Sequence, residues 1–233
     1  MTSDTAKTAA ARKALELVNA EMTLGLGTGS TAAFFINGLG ERVRSGLFVK
    51  GVPTSRESER LALENGIELI TPDETTRIDL AIDGADEINP QGALIKGGGA
   101  ALLREKIIAD AAAKFVVIAD ASKAVTTLGA FPLPVEIEPF GWALSVQSVR
   151  QTLGALGFDR AHIALRGDAK GILHTDGGHY ILDCTLGRID DPADLEARLR
   201  AIPGVIETGL FVSQTDLVIL GKDDGSVDVT LPA

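Results

Sequence analysis

The sequence predicts an α/β protein, a Rossmann-like doubly wound, mostly parallel sheet accompanied by a smaller α+β ferredoxin-like domain. Two observations carry that prediction. Short apolar runs ending in Gly or Asp alternate with helical stretches up to about residue 130. Beyond Phe131-Pro132-Leu133-Pro134 the rhythm becomes strand, helix, two strands, helix, strand. The expected division is 1–130 plus 207–233 for the first unit and 131–206 for the second.

The elements follow in order. The stretch MTSDTAKTAAARKALELV reads as an amphipathic first helix. Met22 to Leu26 is a strand, and Gly27-Thr28-Gly29-Ser30-Thr31 turns it into a helix reaching about Arg44. Leu47 to Val52 is the next strand, Ser55 to Asn65 a helix, and Ile67–Ile70 and Ile78–Asp83 are further strands. Gly97-Gly98-Gly99 precedes a helix to about Ala113, and Phe115 to Ala119 is a continuous apolar strand. In the second unit the strands are 133–138, 161–165 and 205–211, and the helices are 142–156 and 192–201. A hairpin turns there at Asp176-Gly177-Gly178. Asp216 to Leu220 and the acidic tail are expected to rejoin the first unit.

Composition narrows the function. The chain has 233 residues, 45% apolar and 23% charged, with a net charge of −10. That is enough apolar material for a core and argues against disorder. Cys184 is the only cysteine, which excludes a disulfide scaffold. No apolar run approaches the ~20 residues needed to span a bilayer. The N-terminal stretch lacks the apolar core and cleavage site of a secretory signal, so a cytoplasmic protein is expected. The acidic balance and 4% aromatic content argue against a nucleic-acid surface. A single small anion needs only a few local donors, so a phosphorylated small molecule stays open.

Three glycine- and acid-rich clusters hold the candidate chemistry. Gly25-Leu26-Gly27-Thr28-Gly29-Ser30-Thr31 places backbone N–H groups, a helix N-terminus and two hydroxyls where a phosphate would sit. A dinucleotide fingerprint would need Gly at position 30, and a nucleotide phosphate loop would need Gly-Lys-Ser/Thr. Read alone, the same turn is a Ser/Thr-capped helix start. Asp83-Gly84-Ala85-Asp86-Glu87 follows an apolar strand, at the sheet edge where α/β proteins place ligands. These acids suit acid–base work on hydroxyls or a divalent metal, and equally a solvated loop. Lys96 is expected to compete with any metal for them.

The third cluster runs from Lys96-Gly97-Gly98-Gly99 into the helix bearing Arg104-Glu105-Lys106. The helical neighbours of Glu105 are Ala101, Leu102, Ile108 and Ala109, all apolar. Glu105 is therefore expected to face inward, where desolvation raises a carboxyl toward the range of a general base. A buried structural ion pair is the other reading. The expected solvent stripe of this helix is Lys106, Asp110 and Lys114. Asp120-Ala121-Ser122-Lys123 falls on the same sheet edge and offers a further cation. His174, Asp176 and His179 around the hairpin are a weaker metal candidate, Cys184 reads as core, and Trp142 as packing or an interface.

Taken together, these motifs resemble the ribose-5-phosphate isomerase A family. The resemblance rests on Gly25 to Ala32, Asp83 to Glu87, Lys96 to Ala101 through Arg104-Glu105-Lys106, and Asp120 to Lys123, in that order and spacing. Phe131-Pro132-Leu133-Pro134-Val135-Glu136 and Ile202-Pro203-Gly204-Val205 match as well.

The resemblance implies interconversion of ribose 5-phosphate and ribulose 5-phosphate through an enediolate, a step of the non-oxidative pentose phosphate pathway. It implies no metal and no cofactor. By it, Glu105 is the base; Asp83 and Asp86 bind hydroxyls and help open the ring; Lys96 stabilises the enediolate. Thr28, Gly29, Ser30 and Thr31 cradle the phosphate with Lys123 and Lys7, while Gly84, Ala85, Gly97, Gly98 and Gly99 line the sugar. A homodimer is expected. The alternatives are a sugar-phosphate sensor module without turnover, an enzyme on a related sugar phosphate, and an acyl-CoA transferase of similar architecture. A sensor that regulates transcription should carry a basic DNA-binding segment, and none is seen.

Overall fold

The computed structural model describes residues 4–169 and 171–232. Residues 1–3 of the expected first helix, and 233 at the end of the expected first unit, lie outside the described residues, as does 170. Helix α1 (Asp4–Leu15) leads to β1 (Thr23–Leu26), α2 (Ser30–Arg44), β2 (Lys50–Pro53), α3 (Arg56–Glu64), β3 (Glu68–Leu69) and β4 (Leu80–Asp83). Two short strands follow, β5 (Glu87–Ile88) and β6 (Leu94–Ile95), then α4 (Leu102–Ala111) and β7 (Phe115–Asp120).

The chain next builds β8 (Leu133–Ile137), α5 (Trp142–Ala155), β9 (His162–Leu165), the hairpin β10 (Gly167–Asp168) and β11 (Gly171–Ile172), and β12 (Tyr180–Thr185). It ends through α6 (Pro192–Arg200), β13 (Val205–Thr208), β14 (Leu210–Phe211), β15 (Leu217–Gly221) and β16 (Val227–Thr230).

The central sheet has seven strands in the order β16-β15-β7-β4-β1-β2-β3, parallel except for β16. Alternation along the strands divides its core. Leu24, Leu26, Leu80, Ile82, Val116 and Ile118 pack with Ala10 and Ala14 of α1, Phe35 and Leu39 of α2, and Ala62 of α3. Ala81, Val117, Ala119 and Val218 pack on the opposite face with Ile108 of α4 and Phe211 of β14. Strand β7 is apolar from Phe115 to Ala119 because it is covered on both faces. After β1 the chain winds outward through β2 and β3, then returns to place β4 on the other side of β1. That reversal opens a crevice at the carboxyl ends of β1 and β4, the usual ligand position in such sheets.

A second sheet has the antiparallel order β13-β8-β12-β9, the strand order of a ferredoxin-like unit. Val135, Ile137, Leu182 and Cys184 pack on Val149 and Leu153 of α5 and on Leu195 and Leu199 of α6. Cys184 is core, with its thiol pushed up to about 12 by burial and by the neighbouring Asp183 charge.

Some expectations change. The expected strand over 205–211 is two strands in different sheets: β13 pairs with β8, and β14 with β6 in a three-stranded sheet β14-β6-β5. The break is Gly209, whose N–H donates to the Pro134 carbonyl while its own carbonyl accepts from Lys96 N–H. A Cβ there would stand 2.2 Å from the Lys96 carbonyl, so only glycine permits the crossing. The expected strand over 47–52 begins only at Lys50. Lys106 is not part of a solvent stripe: it is buried, 2.6 Å from Glu196 and 2.8 Å from Glu207. Helical periodicity could not see that α4 is flanked by the second sheet.

Candidate active site

The crevice at the sheet edge is a cleft of about 170 Å³. Lys7, Thr28, Gly29, Ser30, Thr31, Gly84, Ala85, Asp86, Lys96, Gly97, Gly98, Gly99, Glu105, Asp120 and Lys123 line it. Five separate stretches of sequence therefore meet around one space: Lys7 of α1, the turn from β1 into α2, the loop after β4, the loop from β6 into α4, and the turn after β7.

At one end, α2 begins at Ser30 with Gly29 as its cap and no side chain closing its first turn. The N–H groups of that turn and the positive end of the helix face an open position, which favours an anion. Lys7 of α1 reaches over and donates to Ser30 Oγ at 2.9 Å, bringing a cation to the same place. Lys123 ends a 3₁₀ turn after β7 and lines the same cleft. Thr28 is fixed from behind, where its Oγ1 lies 2.8 Å from both Thr54 Oγ1 and Ser55 Oγ.

At the other end lies a buried ionic cluster. Lys96 Nζ is 3.0 Å from Asp83 Oδ2 and 3.3 Å from Glu105 Oε2, with the three residues 2, 3 and 5% exposed, respectively. Lys96 Nζ also donates to the Gly84 carbonyl, and Phe211 lies beneath it with its ring centroid 5.4 Å away. Asp83 Oδ1 accepts from the N–H groups of Thr28 at 3.0 Å and Gly84 at 2.7 Å. Gly27 makes room for this carboxylate, since a Cβ there would be 2.2 Å from Asp83 Oδ1.

Two carboxylates and one ammonium share this buried pocket. Burial, and then the Asp83 charge, push the Glu105 carboxyl up to about 8 against the pull of Lys96. Burial also raises Asp83, again opposed by Lys96. For Lys96, desolvation acts downward, but Asp83 and Glu105 outweigh it and hold the ammonium above its ordinary value. The lysine thus stays charged while Glu105 sits in the range where a carboxyl can both take and return a proton.

Asp86 lines the cleft between these ends, its Oδ2 accepting from Gly98 N–H at 2.9 Å. Asp83, by contrast, does not line the cleft: both its oxygens are turned onto Lys96 and the backbone behind it. Of the residues expected to bind the sugar phosphate or act on it, Asp83 alone is absent from the cleft wall. No motif in the sequence marks Asp120, Thr54, Ser55, Phe211 or Arg166 individually. Asp120 belongs to the Asp-Ala-Ser-Lys stretch, and its buried Oδ2 has no hydrogen-bond partner. Phe211 and Arg166 come from distant segments whose local patterns carry no sign of the cleft.

The histidines lie elsewhere. His179 Nδ1 is 2.9 Å from Glu136 Oε1, His174 stacks edge-on against Tyr180, and Asp176 pairs with Arg104 and Arg56. Among the described residues no group of three or more His, Cys, Asp or Glu is placed to hold a metal ion.

Fold and site together define a class: an α/β protein with an anion cradle at a helix start and, beside it, a buried carboxylate pair bridged by a lysine. The model of the family described as ribose 5-phosphate isomerase A (phosphoriboisomerase A) matches residues 50–225. A protein of Methylorubrum extorquens named ribose-5-phosphate isomerase A is 55% identical over 225 residues, covering 96% of this chain and 94% of that one. The solved ribose 5-phosphate isomerase A of Methanocaldococcus jannaschii superposes with a TM-score of 0.88 at 39% identity, over 97% of both chains. A D-ribose-5-phosphate isomerase solved with phospho-erythronic acid gives 0.87 at 40% identity, also over 97% of both. The chain belongs to the ribose 5-phosphate isomerase A family.

Proposed function

We propose that this chain interconverts D-ribose 5-phosphate and D-ribulose 5-phosphate by proton transfer, with Glu105 as the base. The observation that carries the reading is the buried Glu105 carboxyl, 3.3 Å from a buried ammonium, in the same cleft as an open helix N-terminus. The phosphate occupies the α2 N-terminus, held by Thr28 to Thr31 with Lys7 and Lys123. That anchor orients the open-chain sugar so that C1 and C2 face Glu105, an advantage an unphosphorylated sugar lacks.

Glu105 takes the proton from C2 of the aldose, and the C2–H electron pair forms the C1–C2 double bond while charge moves onto O1. Lys96 stabilises that charge from a buried position, where a fixed cation is most effective. The protonated Glu105 returns the proton to C1, the O2 hydroxyl proton passes to the O1 side, and the ketose results. Asp86 accepts from sugar hydroxyls and assists ring opening. Asp83 acts through Lys96 and through the Thr28 and Gly84 N–H groups it fixes. Gly84, Ala85 and Gly97 to Gly99 form the wall against the sugar.

The relatives are named as isomerases over nearly their full length, which gives a sensor without turnover no support. We read the chain as two units, 1–130 plus 207–233 and 131–206, a division that falls within β13, whose pairing with β8 runs on to Thr208. It is further read as a cytoplasmic homodimer. No helix among the described residues is long and apolar enough to cross a membrane, and Phe140, Trp142 and Leu144 are exposed together near the start of α5. Light scattering on the purified protein checks the dimer.

Proton NMR of ribose 5-phosphate in D2O with the protein and EDTA tests the activity. Deuterium entering the sugar as ketose forms is the expected result. Saturable binding without exchange or ketose would overturn the reading.

A further inference from the structure

Arg166 stands one residue beyond β9 with its side chain largely buried. Its Nε donates to Asp183 Oδ2 at 2.9 Å and its Nη2 to Asp183 Oδ1, a two-pronged grip on β12. The remaining nitrogen reaches out of the second sheet: Nη1 donates to the Gly97 carbonyl at 2.7 Å and the Gly98 carbonyl at 3.2 Å. The glycine loop of the cleft is thus tied to a different sheet.

The geometry of that tie matters. The Gly97–Gly98 peptide is held at both ends, its carbonyl by Arg166 and its N–H by Asp86 Oδ2 at 2.9 Å. A trans peptide points its carbonyl and N–H in opposite directions. Holding the carbonyl on the Arg166 side therefore directs the N–H onto the Asp86 carboxylate. By the same rule, the grip on the Gly98 carbonyl turns the Gly99 N–H away from Arg166, and Gly99 lines the cleft. The loop begins at Lys96 and ends at Ala100, whose φ of 60° is costly for a residue with a Cβ. Such a loop needs external anchors to keep one shape.

We propose that Arg166, braced by Asp183, is a positioning residue for the reaction: it sets the Gly97–Gly99 loop, and through that loop Asp86 and the Gly99 N–H, against the sugar. The proposal rests on the isomerase reading above. It requires a planar fork with three nitrogens committed at once, which a lysine cannot supply. The phosphate cradle belongs to β1 and α2 and is not touched by Arg166.

The test is steady-state isomerisation by Arg166→Met, Arg166→Lys and Asp183→Asn, at a temperature where melting curves show each variant folded. Inorganic phosphate serves as a competitive inhibitor that reports on the cradle. Arg166→Met is expected to lower kcat by ~10–100-fold, the scale of a small misplacement of reacting groups, with KM and the phosphate inhibition constant changed by less than about threefold. Arg166→Lys should recover only a minor part of the loss. Asp183→Asn keeps the cation but loosens its brace, so it should lower kcat by a smaller factor. It also supplies the result if Arg166→Met fails to fold. Normal kcat in the folded variants would overturn the proposal, and so would equal losses of kcat and phosphate affinity, which mark general loosening of the cleft. A wild-type protein that forms no ketose would instead overturn the isomerase reading itself.

Discussion

Replacing Glu105 by Gln separates the chemistry of the site from its stability. The variant keeps the shape of the side chain but removes one of the two carboxylates that share Lys96 within 3.3 Å. As a base the residue is then lost, and kcat should fall by about 10²–10⁴-fold while substrate is still bound. Stability should move the other way. The folded-state carboxyl is pushed from 4.5 up to about 8, so the folded protein holds a proton that the unfolded chain has released between those values. Where the folded state binds more protons, stability declines as pH rises.

Through Glu105 the wild type therefore loses stability between pH 4.5 and about 8, a contribution the Gln variant lacks. The gap between the two should widen by up to about 1.4 kcal/mol per pH unit, with a ceiling on the order of 5 kcal/mol before Lys96 loses its second partner. Even about 2 kcal/mol in a chain of this size raises the melting temperature by roughly 4–8 °C. Melting curves of both proteins from pH 5 to 9 measure it. In the same window, wild-type kcat/KM should climb as Glu105 deprotonates. A gap that does not change with pH, or a Gln variant that becomes relatively less stable as pH rises, would refute the claim that Glu105 is a desolvated acid.

Three further outcomes follow from the geometry. Lys96→Met should lower kcat by about 10²–10³-fold with a smaller effect on KM, and the acid limb of kcat/KM should move to higher pH because the cation that lowers Glu105 is gone. A pure KM effect would contradict the enediolate role. Gly27→Ala places a methyl 2.2 Å from Asp83 Oδ1 and should destabilise the protein by about 1–3 kcal/mol, with loss of activity in the folded fraction, as read by melting and specific activity. Lys7→Met and Lys123→Met should each raise KM more than they lower kcat, and the difference from wild type should shrink as salt rises; an unchanged KM would remove these lysines from the phosphate end.

The central sheet was legible because its inner strands are buried on both faces and its turns are marked by glycine and acid, as at Leu26-Gly27 and Ile82-Asp83. The inward direction of Glu105 was legible because a helix shows its faces through spacing alone. What spacing could not show was anything set by chain segments far apart. The helical wheel put Lys106 in solvent because the carboxylates that bury it come from α6 and β13. The break at Gly209 depends on how closely the Lys96 carbonyl approaches, a contact across more than a hundred residues in sequence. Asp83 looked like a group facing the ligand from its place at a strand end. The residues that turn it aside are Lys96 and the backbone of Thr28 and Gly84. Two-residue strands such as β5, β6 and β14 carry too little pattern to be read at all.

The position of β15 in the central sheet has a consequence for how the molecule is assembled during synthesis. Strand β7 lies between β4 and β15, yet β15 is made only after the whole of the second sheet has been translated. Until Leu217 to Gly221 leave the ribosome, one hydrogen-bonding edge of β7 is unpaired, and that edge belongs to a strand buried along its whole length in the finished fold. For about a hundred codons the nascent chain carries a sticky, half-finished sheet while the intervening segment folds on its own local contacts. The interval in which the chain is most exposed to misassociation is thus fixed by topology, and slow translation between β7 and β15 would lengthen it.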